Sequence, residues 1–215
     1  MKIVLATHNA KKLSELRRVV AEQGLALEVL GLDDVANYPE PAETERTFEG
    51  NALLKARACV AATGLPALAD DSGIAVDLLN GMPGVRSARW AGKGATDQAN
   101  LDLLIAQLAD TDPAERTARF VCAVAFVDAA GTEHVVRAAM EGTLVSQPRG
   151  GNGFGYDPIF VAEGHTRTNA ELSPAEKDAI SHRGQAVRAM LQWLVGEGLV
   201  DEGRVGAGPA EREEG

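Results

Sequence analysis

The longest apolar run of the sequence, Thr117–Val127, restricts the fold more than any other segment. Its apolar residues are nearly continuous, as in strands that are covered on both faces of a sheet. Turn residues follow at 128–131, and residues 133–140 again have strand character. This pattern predicts a long antiparallel hairpin, whose second strand continues over residues 141–147 past a bend at Gly142.

A second apolar run, residues 65–69, ends in Asp70-Asp71-Ser72-Gly73. It predicts a buried strand that is ended by the glycine. Successive side chains of a strand point to opposite sides, so Asp70 and Asp71 should face different surroundings, and at most one enters a given cleft. A carboxylate at the end of a buried strand can hold a hard cation such as Mg²⁺. A solvated turn is the alternative, because Asp, Ser and Gly are common turn residues.

The N-terminal segment combines features of an anion site. Residues 2–6 predict a strand that leads directly into a helix, with Asn9 as the N-cap, and residues 25–32 predict the next strand. Free backbone N–H groups at a helix N-terminus favour anions. Thr7, Asn9 and Lys12 add a hydroxyl, an amide and a cation, so we expect phosphate to bind here, although the segment is not a glycine-rich phosphate loop.

A polar loop at residues 33–46 precedes a second helix, which Thr47 caps and which ends at Thr63. Asn51 and Lys55 are four residues apart and therefore lie on one face of that helix. Without other signals, they would be interpreted as a surface pair.

The middle of the chain is less informative. Residues 74–79 predict a strand, and the dipeptide at 80–81, Asn-Gly, predicts a hairpin turn. Arg86 and Arg89 follow in a glycine-rich segment and could contact either phosphate or a second subunit. Thr96 caps a structural helix with an apolar stripe.

Residues 150–155 contain four glycines, which indicate unusual backbone angles or close approach of a ligand. Phe154 and Tyr156 lie among them and could stack on a flat ligand such as a purine base. A flexible loop anchored by two aromatic rings is the alternative.

Ser173 begins a capping box and predicts a helix over residues 174–195. Lys177 lies near its start. His182 and Arg183 offer ring nitrogens and a guanidinium fork, which suit the carbonyl oxygens of a base.

Composition narrows the class of protein. The net charge of −10 argues against non-specific nucleic-acid binding, because neutralising phosphates requires a basic surface. Cys59 and Cys122 lie in apolar contexts without disulfide or metal spacing. We find neither a signal peptide nor an apolar run near the ~20 residues of a membrane span, so we expect a cytoplasmic protein. Its 215 residues predict one two-lobed domain over 1–198 and a disordered acidic tail over 199–215.

These blocks occur in the order found in the inosine triphosphate pyrophosphatase family, also called XTP/dITP diphosphatases, which the chain resembles. Each block alone is weakly specific, but five in order from residue 7 to residue 183 are highly specific. They are Thr7-x-Asn9-x-x-Lys12, Glu43 followed by Thr47-Phe48-x-x-Asn51-Ala52-x-x-Lys55-Ala56, Ala69-Asp70-Asp71-Ser72-Gly73, Gly153-Phe154-Gly155-Tyr156-Asp157-Pro158, and Ser181-His182-Arg183.

The resemblance implies an α/β fold with a long mixed twisted sheet flanked by helices, two lobes around a substrate cleft, and a homodimer. It implies Mg²⁺-dependent hydrolysis of ITP, dITP and XTP to the monophosphate and pyrophosphate. Asp71 would be the general base and a metal ligand, Glu43 would help to hold Mg²⁺, and Lys12 and Lys55 would contact the triphosphate as catalytic residues. The substrate-binding residues that it implies are Thr7, His8, Asn9, Ala10, Lys11, Lys12, Ser72, Phe154, Gly155, Tyr156, Asp157, Lys177, His182 and Arg183.

Two departures from the family pattern leave points open. His8 stands where the family often has glycine, so a stiffer turn is expected beside the phosphates. Glu45 also stands where the family usually has glycine, so the second metal ligand stays open among Glu40, Glu43 and Glu45. Selectivity should depend on the 6-oxygen of hypoxanthine and xanthine, whereas the exclusion of guanine is not explained. A pyrophosphatase for modified pyrimidine triphosphates and a non-catalytic nucleotide-binding protein are the alternative functions.

Overall fold

The computed structural model describes residues 1–35, 38–201 and 203, and it has an α/β fold around a mixed sheet of order β2-β1-β3-β4-β5-β6. β1 is parallel to β2 and β3, and the remaining pairs are antiparallel. The predicted mixed sheet flanked by helices is therefore confirmed. The elements are β1 (Lys2–Leu5), α1 (Ala10–Glu22), β2 (Glu28–Leu30), α2 (Phe48–Thr63), β3 (Ala67–Val76), α3 (Asp97–Gln107), β4 (Thr117–Val127), β5 (Glu133–Leu144), β6 (Phe160–Ala162), α4 (Pro174–Ile180) and α5 (His182–Gly196).

The first two helices lie on opposite faces of this sheet. α1 connects β1 to β2, whereas α2 leads from β2 back past β1 to β3, so right-handed crossovers require opposite faces. Accordingly, α1 and α5 pack on the face that carries Leu68 and Val124, and α2 packs on the face that carries Ala69 and Ala123. Alternate residues of β3 therefore meet different helices.

A third apolar cluster lies at the other end of the long strands. There Ile74 and Val76 of β3 pack with α3 and with the segment around β6. Residues 70–72 of β3 thus lie between the first two clusters and the third. β1 pairs with β3 only as far as Leu68, so these residues have β4 beside them on one side and, among the described residues, no neighbouring strand on the other.

Gly73 does not end the strand, contrary to prediction, because β3 pairs with β4 continuously from Ala67 to Val76. A Cβ atom at Gly73 would lie 2.4 Å from the hydroxyl oxygen of Ser87 and 2.6 Å from the carbonyl oxygen of Gly84. The glycine therefore permits close approach of a neighbouring segment rather than a bend.

The long C-terminal helix that was predicted is two helices. Ser181 has an extended conformation, with ψ 139°, and its hydroxyl accepts a hydrogen bond from the Gly184 amide at 3.0 Å. This is the geometry of an N-cap, so α4 ends and α5 begins at this residue.

Three smaller expectations also differ. β2 is shorter than the predicted strand over residues 25–32. The Asn-Gly dipeptide turns the chain, but only an isolated bridge between Ala75 and Pro83 follows it in place of a hairpin. Val200, placed by prediction in the tail, is 3% exposed, and most of the remaining tail lies outside the described residues. Within the described part of the chain, the helices are too short or too polar to cross a membrane.

Candidate active site

Asp70 is the centre of a buried ionic cluster on the α1 and α5 face of the sheet. Its carboxylate accepts hydrogen bonds from Lys12 Nζ at 2.8 and 3.0 Å and from the Ser72 hydroxyl at 3.1 Å. Arg183 Nε approaches the same carboxylate at 3.4 Å. Burial opposes ionisation, but the charges of Lys12 and Arg183 hold the pKa of Asp70 far below its ordinary value. Asp70 is therefore a buried anion at neutral pH.

Asp71 points to the opposite face, as strand alternation predicted. Its Oδ2 accepts a hydrogen bond from Asn51 Nδ2 at 2.9 Å, and its Oδ1 lies 3.6 Å from Lys55 Nζ. Burial raises the pKa of Asp71, although the Lys55 charge and the Asn51 hydrogen bond oppose the shift. Unlike its neighbour, this carboxylate is poorly stabilised as an anion, which makes it the better proton acceptor.

Glu43 completes the cluster around Asp71. It lies in the loop before α2, where its carboxylate contacts Lys55 Nζ at 3.3 Å and Arg89 Nη1 at 2.7 Å. Burial would raise the pKa of Glu43, but the Arg89 hydrogen bond and the Lys55 charge outweigh it and lower the pKa. The Lys55 ammonium therefore lies between two carboxylates, Glu43 and Asp71.

The other two candidate acids are placed differently. Glu40 is exposed, and its carboxylate lies 3.9 Å from His8 Nε2. Glu45 is also exposed, and its backbone N–H donates to Asn51 Oδ1 at 3.0 Å. Of the three, Glu43 shares a cation with Asp71.

The turn after β1 has the helix N-terminus that the sequence predicted. Asn9 Oδ1 accepts from the backbone amides of Lys11 at 2.9 Å and Lys12 at 3.4 Å, which confirms Asn9 as the N-cap. The Thr7 hydroxyl accepts from the Asn9 amide at 3.2 Å. His8, Asn9, Ala10 and Lys11 are all exposed around this turn.

The glycine-rich loop and α4 form a second group of predicted residues. The buried Asp157 accepts hydrogen bonds from Lys177 Nζ and from the Phe154 amide. Lys177 Nζ also lies 5.1 Å from the centroid of the Phe154 ring, which is 57% exposed. The Gly155 amide donates to Asp97 at the start of α3. Phe154 thus presents an accessible ring surface beside Lys177.

Tyr156 cannot stack on a base, contrary to prediction. It is 5% exposed, it belongs to the third apolar cluster, and its hydroxyl donates to the Ser87 carbonyl at 2.8 Å. Its role in this structure is to anchor the glycine-rich loop.

His182 lies at the junction of the two groups. It is buried, and its ring stacks on Phe120 with centroids 5.1 Å apart. Burial and the positive charges of Arg183 and Lys177 lower the pKa of His182 to about 3, so the imidazole is neutral. Its Nδ1 is buried without a hydrogen-bond partner among the described residues.

Sequence reasoning assigned Lys12 and Arg183 to opposite ends of a substrate, but the structure joins both to Asp70. Asp70 itself was not among the predicted site residues, although its position beside Asp71 was a usable signal. Asn51 was recognised as part of a motif and as a helix-face neighbour of Lys55, but the two residues are buried and are not a surface pair. Asp97 was missed, and no signal in the sequence pointed to it.

A model of the Ham1 family matches residues 3–193, so the chain belongs to this family. A protein named dITP/XTP pyrophosphatase from Cutibacterium acnes is 57% identical over 90% of this chain and 96% of its own length.

Two solved structures are also similar. A crystal structure titled nucleoside-triphosphatase, or dITP/XTP pyrophosphatase, from Mycobacterium abscessus has a TM-score of 0.77 and 53% identity, covering 89% of this chain and 99% of that one. A structure of a HAM1 protein from Coxiella burnetii has a TM-score of 0.84 and 42% identity, and the match covers 91% of this chain and 99% of that one. The resemblance found from the motifs is confirmed.

Proposed function

We propose that this protein is a pyrophosphatase that hydrolyses the triphosphates of non-standard purine nucleosides, ITP, dITP, XTP and dXTP, to the monophosphate and pyrophosphate. The names of its similar relatives support this activity. The observation that carries the proposal is the pair of adjacent aspartates at the middle of β3, each facing a lysine from a different helix.

Asp71 is the general base of this proposal. Its raised pKa favours acceptance of a proton from a water molecule. That water forms a new P–O bond, the anhydride bond between the α- and β-phosphates breaks, and pyrophosphate leaves. Lys55 and Lys12 neutralise charge on the triphosphate, which is the main requirement of phosphoryl chemistry. The exposed turn over residues 8–11, at the positive end of the α1 dipole, binds the phosphate end.

Mg²⁺ is the proposed cofactor, held by Asp71 and Glu43. Among the described residues, no three His, Cys, Asp or Glu side chains form a ready-made metal site. Two carboxylates that already share the Lys55 ammonium nevertheless suit Mg²⁺, which is commonly held by one or two carboxylates together with substrate phosphates and water. When bound, the ion would supply charge neutralisation at the phosphates.

Phe154 and His182 carry the nucleoside end of the proposal. The exposed Phe154 ring offers a stacking surface, and the buried Nδ1 of the neutral His182 ring, which has no hydrogen-bond partner among the described residues, is the atom proposed to meet a base that enters the site. A buried site that must hydrogen-bond one substrate group can reject an analogue without that group by about 10⁴-fold. We therefore expect ATP, which has an amine at position 6, to be a poor substrate.

The test is a steady-state comparison of pyrophosphate release from ITP, dITP and XTP with that from ATP, GTP and modified pyrimidine triphosphates, with Mg²⁺ present. We expect kcat/KM for the non-standard purines to exceed that for ATP by at least 10³-fold. Asp71→Asn should abolish turnover while the protein stays folded. Asp77→Asn, which removes an exposed carboxylate from the turn just after β3, is the matched control and should keep full activity.

Two results would contradict the proposal. A preference for pyrimidine triphosphates would assign a different substrate class. Nucleotide binding without any turnover would indicate a non-catalytic binding protein.

We also propose a cytoplasmic homodimer without nucleic-acid partners. The two buried free cysteines fit a reducing compartment, and the net charge of −10 disfavours nucleic acid. Light scattering of the purified protein would measure the oligomeric state.

A further inference from the structure

Asn51 connects α2 to Asp71 of β3 and to the loop before α2. It lies in the first turn of α2 and is 0% exposed. Its Nδ2 donates to Asp71 Oδ2 at 2.9 Å, and its Oδ1 accepts from the backbone amide of Glu45 at 3.0 Å. One side chain thus joins the base of the proposed reaction to the acidic loop before α2.

A primary amide suits these two bonds. One end must donate to a carboxylate and the other must accept from a backbone N–H, and the Asn51 amide provides the donor and the acceptor on separate atoms. An aspartate at this position would repel Asp71, and an apolar residue would leave both partners unsatisfied. The residue type therefore follows from the contacts.

The two bonds bear on the carboxylates of the metal proposal. Glu43 lies two residues before Glu45 in the same loop, and Lys55 Nζ contacts Glu43 at 3.3 Å and Asp71 at 3.6 Å. Fixing the Glu45 backbone restricts where Glu43 can lie, and the bond to Asp71 restricts the rotation of that carboxylate. Both restrictions originate from Asn51.

We infer that Asn51 is a positioning residue that holds the loop of Glu43 against Asp71, so that the two carboxylates face one cation. The inference rests on the proposed function, because that function supplies the divalent metal. Residues that orient metal ligands in this way change metal affinity by about 10- to 100-fold when they are replaced.

The experiment measures Mn²⁺ binding without nucleotide, by calorimetry and by the loss of the free-ion electron paramagnetic resonance signal. Asn51→Leu keeps the branched shape of the side chain and removes both bonds, whereas Asn51→Ala leaves room for water and is the second variant if the bulkier leucine does not fold. Thr63→Val is the matched control, because it removes a side-chain bond to the Leu65 amide at the other end of α2. Circular dichroism and urea unfolding establish that each variant is folded.

We expect Mn²⁺ to bind the Asn51 variants at least 10-fold more weakly than the unmodified protein, and Thr63→Val to bind it normally. The concentration of Mg²⁺ that gives half-maximal pyrophosphate release should rise in the same proportion. A folded Asn51 variant with unchanged Mn²⁺ affinity would overturn the inference and leave the proposed hydrolysis standing. Absence of Mn²⁺ binding to the unmodified protein, both without nucleotide and with an unreactive triphosphate analogue, would instead overturn the metal assignment, and the inference with it.

Discussion

Adjacent aspartates on β3 should respond in opposite ways to the same isosteric substitution. Asp70 is 6% exposed and contacts two cations, and the lowered pKa means that its ionised form stabilises the fold. Removing one partner of a buried ion pair costs about 3–5 kcal/mol. We expect Asp70→Asn to lower the free energy of unfolding by about 3 kcal/mol, because the Lys12 side chain is 20% exposed and can be hydrated.

Asp71→Asn should change the free energy of unfolding by less than about 1 kcal/mol. The pKa of Asp71 is raised by burial, so ionising this carboxyl costs more in the folded protein than in the unfolded chain, and a neutral amide removes that cost. The substitution should nevertheless abolish pyrophosphate release, because the base is lost.

Urea unfolding at neutral pH measures both effects. Because the pKa of Asp70 is lowered, its stabilisation is present above the ordinary value of 3.8 and is lost as the pH falls below it. The difference between the two variants should therefore persist from pH 8 to about pH 5 and narrow below pH 4. Equal destabilisation by the two substitutions, or a larger loss for Asp71→Asn, would refute the contrast drawn between the two carboxylates.

Three other substitutions test separate parts of the site. Burial lowers the pKa of His182 to about 3 in the folded protein, so the unfolded chain takes up an extra proton below pH 6.5 and the protein becomes less stable as the pH falls. At pH 5, urea unfolding should show a loss of about 2 kcal/mol that His182→Gln lacks. A difference between the two proteins that does not vary with pH would contradict this. Phe154→Ala should raise KM for ITP about 10-fold with kcat within about 3-fold, since base stacking contributes about 1–3 kcal/mol; an unchanged KM would exclude stacking. Lys55→Met should lower kcat for pyrophosphate release by about 10²-fold or more, and activity near that of the unmodified protein would exclude its role in charge neutralisation.

Local chemistry made several elements predictable from the sequence. Thr47, Thr96 and Ser173 were expected to cap helices, and each side chain accepts the hydrogen bond that a cap requires. The long hairpin of β4 and β5 was equally clear, because its apolar run and turn are contiguous. These features depend on residues within a few positions of one another.

The errors arose where distant segments decide the outcome. Gly73 was expected to end a strand, but its missing side chain makes room for Ser87 and Gly84 from a separate segment. Tyr156 was expected to stack on a base, but its hydroxyl donates a hydrogen bond to the carbonyl of Ser87, which is 69 residues away in the sequence. The local periodicity of the sequence does not predict contacts between such distant segments.

The pairing of lysines with aspartates shows what further information would have been needed. Alternation along β3 predicted that Asp70 and Asp71 diverge, but not which partner each would meet. That choice requires the strand order as well as the register of β3. Because β1 lies between β2 and β3, the two crossovers run in opposite directions and place α1 and α2 on opposite faces. Lys12 therefore reaches Asp70 and Lys55 reaches Asp71. Strand order therefore separates the two lysines, and the register of β3 assigns one to each aspartate, so the division between a stabilising carboxylate and a reactive one depends on both.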